Sequence, residues 1–121
     1  MAELKDLNLL YVEDEEFMQK AITKITSKSI GSLTIADNGM DGLDKYNESK
    51  PDIILTDLEM PVMNGLELIK EIRKNDKDTP IIIITAFRDQ ADFAEGADFV
   101  LIKPVLKENL IELLNKSAAK V

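Results

Sequence analysis

Five side chains in this chain are of types that together handle a phosphoryl group: the carboxylates of Glu13, Asp14 and Asp57, the hydroxyl of Thr85 and the amine of Lys103. Unit charges about 4 Å apart interact by roughly 4 kcal/mol at an effective dielectric near 20, so three converging carboxylates need a cation. Hard oxygen donors without imidazole or thiolate favour Mg²⁺, which keeps several waters and leaves positions open for phosphate oxygens. Lys103 supplies a second positive charge. A carboxylate beside Mg²⁺ and a lysine, with a hydroxyl in reach, has one well-supported use: Asp57 attacks a phosphoryl donor and becomes an acyl phosphate. The cation, Lys103 and Thr85 would each meet an oxygen of the transferring group.

Those residues converge only if particular elements carry them. Short aliphatic runs, Leu7 to Val12, Leu33 to Ala36, Ile53 to Thr56, Ile81 to Thr85 and Phe99 to Ile102, alternate with longer amphipathic stretches. Each run is strand-sized and apolar on both faces, the pattern of a parallel strand covered by helices on either side. Phe17, Met18, Ala21, Ile22 and Ile25 recur at helical spacing, as do Leu66, Leu68, Ile69 and Ile72, and then Leu106, Leu110, Leu113 and Leu114. Asn64-Gly65 is suited to cap the helix after the third strand. The pattern is (βα)5, an α/β, flavodoxin-like doubly wound parallel sheet of five strands in the order 2-1-3-4-5. Strand 1 then runs into Glu13 and Asp14, strand 3 ends at Asp57, strand 4 at Thr85 and strand 5 at Lys103, all on one edge. Each residue alone has a plainer use. An acidic run often starts a helix, an Asp after a strand often turns the chain, Thr suits a strand end and Lys a surface. Four strand ends bearing the right types on one edge decide for a site.

Composition narrows the function further. In 121 residues, 15 basic and 23 acidic side chains give a formal net charge of −8, with neither His nor Cys. Histidine-dependent hydrolysis, thiol nucleophiles, disulfides and His- or Cys-ligated zinc are excluded. An acidic chain lacks the clustered Lys and Arg that nucleic acid or an anionic membrane requires. The start has no secretory pattern and the longest aliphatic run, Ile81 to Ile84, is too short to span a bilayer. A cytoplasmic single domain over 1–121 is expected, as a monomer or weak dimer with protein partners. A nucleotide or flavin phosphate is disfavoured after strand 1, where four consecutive acids, Glu13 to Glu16, replace a Gly-rich loop.

Over its whole length the chain resembles the receiver domains of two-component response regulators, particularly chemotaxis-type single-domain members. The carriers are Val12-Glu13-Asp14-Glu15, Ala36-Asp37-Asn38-Gly39, the segment from Pro51 through Asp57 to Met60-Pro61-Val62-Met63-Asn64-Gly65, Ile84-Thr85-Ala86, Gly96-Ala97-Asp98 and Lys103-Pro104. The resemblance implies Asp57 as phospho-acceptor, Asp14 as a direct Mg²⁺ ligand, Glu13 as a ligand through water and the Glu59 backbone carbonyl as a further ligand. It implies that the Thr85 hydroxyl swings to the phosphoryl group, that Lys103 pairs with it, and that the Lys103-Pro104 peptide is cis. It implies a histidine kinase or a histidine phosphotransfer protein as donor, a downstream protein as target, and no enzyme activity beyond the domain's own aspartyl phosphorylation and dephosphorylation. Glu59 and Phe87 occupy positions that the family uses to tune acyl-phosphate lifetime.

Two departures bear on output. Where many receivers carry an aromatic residue three positions before the lysine, this chain has Val100, and the strand period of two turns Phe99 to the opposite face. Thr85 and Lys103 are 18 positions apart, which leaves Arg88 to Glu95 for a shortened fourth helix with Gly96 as its stop. Met60 and Met63 are read as packing or loop residues. The resemblance therefore implies a phosphorylation-activated switch. A phosphorelay intermediate and a phosphorylation-independent interaction module on the same fold stay open as alternatives. A dehalogenase-type phosphotransferase is disfavoured, because Glu59 stands where that pattern has a second Asp.

Overall fold

The computed structural model describes residues 3–87 and 95–121. A short 3-10 turn at Leu4–Asp6 leads into β1 (Asn8–Val12), α1 (Glu16–Thr26), β2 (Ser32–Ala36), α2 (Gly39–Ser49), β3 (Ile53–Asp57), α3 (Gly65–Arg73), β4 (Ile81–Thr85), β5 (Phe99–Ile102) and α4 (Lys107–Ala118). The strands form one parallel sheet in the order β2-β1-β3-β4-β5, the expected topology. The shortened helix expected over Arg88 to Glu95 lies, but for Glu95, outside the described residues. Gly96, its expected stop, has φ of 93°, the left-handed region where glycine carries no Cβ penalty. No helix among the described residues is long and apolar enough to cross a membrane.

Every residue of β3 and β4 is buried, because helices cover both faces of the sheet. Strand alternation sorts the core into two layers. Leu9, Tyr11, Leu55, Ile82, Ile84 and Leu101 face α1 and α4, where Ile22, Leu110 and Leu114 meet them. Leu10, Val12, Ile54, Ile81 and Ile83 face α2 and α3, against Leu68, Ile69 and Ile72. Phe17, expected on the apolar face of α1, is instead 79% exposed. The buried positions of that helix are Ile22 and Thr26, and five residues of helix put Phe17 about 140° around the axis from Ile22. Leu106 is likewise exposed, as the residue that precedes the first turn of α4.

The loop from β3 to α3 is the most constrained of those at the carboxyl edge. The Asn64 side chain accepts from the Glu67 N–H at 2.9 Å and the Glu67 carboxylate accepts from the Asn64 N–H at 3.2 Å, a reciprocal cap that starts α3. A Cβ on Gly65 would collide with the carbonyl oxygen of Asp57, so only glycine lets the helix begin this close to the acceptor strand. Met60 and Met63 pack beneath the loop against the α2/α3 layer. Val62, between them, has φ of 69° with its side chain 77% exposed. A β-branched residue in the left-handed region costs on the order of 1–2 kcal/mol, which an exposed side chain recovers little of. Val62→Asn should therefore raise stability by about 0.5–1 kcal/mol and the thermal midpoint by roughly 2–6 °C, measured by circular dichroism melting.

Candidate functional site

Strand parity places the site residues. Along β1 the side chains of Leu9 and Tyr11 point to the α1/α4 layer, and one further period gives Glu13; along β3, Leu55 gives Asp57; along β5, Leu101 gives Lys103. The ladders extend one residue past two of those strands, because the Glu13 N–H donates to Ala36 O at 2.9 Å and the Lys103 N–H to Thr85 O at 2.8 Å. Glu13, Asp57 and Lys103 thus leave the sheet on one side of its carboxyl edge, with Asp14 in the turn that follows.

Carboxylate oxygens of Glu13, Asp14 and Asp57 lie within 4.8 Å of one another. Lys103 Nζ is 3.4 Å from Asp57 Oδ2, an ion pair whose carboxylate is 8% exposed. The other carboxylate oxygen of Asp57 accepts from the Leu58 N–H at 2.8 Å. Thr85, buried at the end of β4, donates to Phe87 O at 3.4 Å and accepts from the Phe87 N–H at 3.1 Å. In register, Asp57 stands beside Ile84 and Thr85 beside Ile102, which brings the ends of β3, β4 and β5 level. Glu59 and Phe87 are exposed on the flanking loops. The Lys103-Pro104 peptide is cis.

Glu13 is fully buried, and burial first, then the charge of Asp57, push its carboxyl up from 4.5 to about 7. The Glu15 N–H at 3.3 Å, the Tyr11 hydroxyl at 3.1 Å and the charge of Lys103 pull the other way without balancing it. Burial, followed by the charge of Glu13, drives the Tyr11 phenol well above its ordinary range, so Tyr11 serves as a neutral donor. Three hard-oxygen groups, under-compensated by one lysine and with one of them pushed toward its neutral form, are a donor set that fits Mg²⁺.

Two contributors escaped the sequence reading. Tyr11 reads there only as a core strand residue. Gln19, on α1, donates from Nε2 to Glu13 O at 2.6 Å and to Asp37 Oδ1 at 2.9 Å. Its one sequence signal is a polar residue close to the buried stripe of α1, three positions before Ile22.

The parallel sheet of this order, with an acidic cluster at its carboxyl edge beside a strand-end lysine, defines a receiver. The chain belongs to the response regulator receiver domain family, whose model matches residues 9–115. Receivers of this family serve two-component signalling and are not enzymes in the ordinary sense. The chain is 38% identical over 113 residues to the chemotaxis protein CheY of Thermotoga maritima, covering 89% of this chain and 94% of that one. Among solved structures, CheY4 of Vibrio cholerae superimposes with a TM-score of 0.84 at 28% identity, over 93% of this chain and 98% of that one. The receiver domain of a sensor histidine kinase from Pseudomonas aeruginosa, which holds a magnesium ion in its active-site cleft, superimposes with a TM-score of 0.86 at 26% identity, over 94% of this chain and 98% of that one.

The Glu13 carboxyl gives the metal-free protein a defined pH dependence. Its folded value lies above the unfolded one, so its contribution to stability is full below about 4.5 and is lost as pH rises through about 7. In EDTA, urea denaturation should find wild type less stable at pH 8 than at pH 5 by on the order of 2–3 kcal/mol from this group, with Glu13→Gln markedly flatter across the range.

Proposed function

We propose that the chain, read as one receiver domain over 1–121, is a phosphorylation-activated switch that accepts a phosphoryl group on Asp57 from a histidine kinase or histidine phosphotransfer protein. The observation that carries this reading is the Asp57 carboxylate held 3.4 Å from Lys103 Nζ while it shares a pocket with the oxygens of Glu13 and Asp14. In transfer, an Asp57 carboxylate oxygen bonds to phosphorus, the P–N bond of the donor phosphohistidine breaks, and the leaving imidazole takes a proton. Mg²⁺ held by Asp14, Asp57, the Glu59 carbonyl and, through water, Glu13 would offset the repulsion between carboxylates and phosphoryl oxygens. The magnesium-bearing cleft of the related Pseudomonas receiver supports that assignment.

The chain's own groups do the rest. The Leu58 N–H steadies one Asp57 oxygen and leaves the second toward Lys103. Lys103 neutralises negative charge that grows when the phosphoryl arrives. The Thr85 hydroxyl, now engaged with the Phe87 backbone, is the group that turns to the phosphoryl and takes the loop after β4 with it. Output is a changed protein-binding face. Neither nucleic acid nor a membrane is proposed as a partner, and a cytoplasmic setting suits a protein donor of this kind.

Intact-mass spectrometry after incubation with acetyl phosphate tests the chemistry. Wild type should gain one phosphoryl group only when Mg²⁺ is present, and Asp57→Asn none, because an amide does not attack. An absence of label on folded wild type, with both acetyl phosphate and phosphorylated kinase as donors, would sink the reading. In the same assay Lys103→Ala should retain detectable labelling and lose phosphorylation-dependent partner binding. Binding at the wild-type level would remove Lys103 from the role given to it.

A further inference from the structure

We infer that Gln19 is a positioning residue for the acidic pocket: its side-chain amide fixes the Glu13–Asp14 peptide and thereby sets where the Asp14 carboxylate meets a divalent cation. The inference rests on the phospho-acceptor reading above and extends it to a residue outside the pocket.

Both acceptors of Gln19 Nε2 are oxygens that cannot donate, the Glu13 carbonyl at 2.6 Å and the Asp37 carboxylate at 2.9 Å. An amide NH₂ has two hydrogens, so each bond uses one, and the amide cannot be turned over without placing oxygen against oxygen. The Glu13 backbone is thereby held at both ends: its N–H donates to Ala36 O at 2.9 Å and its carbonyl accepts from Gln19. That carbonyl belongs to the same planar peptide as the Asp14 nitrogen, so fixing it fixes the start of Asp14.

The two acids differ in what else holds them. The Glu13 carboxylate has its own ties to the Tyr11 hydroxyl and the Glu15 N–H. The Asp14 side chain is exposed, and among the described residues no hydrogen bond or ion pair holds its carboxylate. Its place near Asp57 is inherited from the backbone that Gln19 anchors. The anchor is itself braced. The Asp37 N–H donates to Asp41 Oδ2 at 2.9 Å, Asp41 pairs with Lys45 at 3.3 Å, and Lys45 Nζ donates to Ile35 O at 2.7 Å. Gln19 thus couples the pocket's first loop to the corner between β2 and α2.

Calorimetric titration with MgCl₂ tests this on wild type, on Gln19→Met, which keeps length and loses both donors, and on Gln19→Ala. Both variants should bind Mg²⁺ about tenfold more weakly, with metal-free thermal midpoints within a few degrees of wild type. Labelling by acetyl phosphate should be slow in the variants at limiting Mg²⁺ and return to the wild-type rate at saturating Mg²⁺. A merely structural contact would lower the midpoint and leave the affinity alone. Equal Mg²⁺ affinity in all three proteins would overturn the inference by itself, as would a labelling deficit that persists at saturation. Wild type that takes up neither Mg²⁺ nor phosphoryl would overturn the phospho-acceptor reading and this inference together.

Discussion

Three carboxylates at one edge of a sheet repel one another, and most of what is particular about this protein follows from holding them there. At separations below 5 Å the repulsion amounts to several kcal/mol at the dielectric of a half-buried pocket. One lysine at 3.4 Å offsets part of it and the partial neutralisation of Glu13 offsets more. A folded domain has only about 5–15 kcal/mol in hand, so the pocket is a substantial local cost. The remainder of the molecule is a frame stiff enough to sustain it.

The stiffness comes from burial and register. β3 and β4 are buried along their whole length, and the parallel ladders set the backbone positions of Asp57, Thr85 and Lys103 relative to one another, to which the Lys103–Asp57 ion pair at 3.4 Å adds a side-chain tie. Because side chains alternate, one odd-numbered set on β1, β3 and β5 continues past the apolar α1/α4 layer into the charged edge. The transition from core to site is one residue long on each strand: Tyr11 to Glu13, Leu55 to Asp57, Leu101 to Lys103. The loops add the fine placement. Gly65 lets α3 start against the Asp57 carbonyl and Gln19 ties the turn after β1 to the β2 side.

This division explains what could be read from the sequence. The aliphatic runs carry the strands and their order, because period and register are global properties that short patterns encode. The carboxylates of Glu13, Asp14 and Asp57 and the amine of Lys103, which follow three of those runs, lie together, whereas the Thr85 hydroxyl meets the Phe87 backbone. Gln19 was illegible because its role depends on the rotation of α1 and on a contact with Asp37, 18 residues away. Phe17 was misplaced for a related reason. Apolar residues counted at loose helical spacing do not say which of them faces the sheet, and the choice of Ile22 and Thr26 as the buried pair sends Phe17 outward. Tyr11 was legible as core but not as a donor to Glu13, since sequence cannot show that its ring ends level with the next carboxylate on the same face. The φ of Val62 has no sequence signal at all, valine being the wrong residue for it.

The same parity bears on how a change at Asp57 would travel. Asp57 and Lys103 belong to the α1/α4 side, whereas Thr85, two residues beyond Ile83, belongs to the opposite side, and Val100 pairs in register with Ile83 on that side too. Thr85 is therefore the residue of the pocket that shares a face with Val100, and its hydroxyl already engages the Phe87 backbone. In the proposed switch, withdrawing that hydroxyl toward a phosphoryl group breaks its contacts with Phe87 and moves backbone. At Val100 the structure offers a short, stiff β-branched side chain that is 39% exposed, with no ring to rotate inward. In that proposal, phosphorylation would act through the Thr85–Phe87 backbone contacts at the end of β4 rather than through a ring on β5.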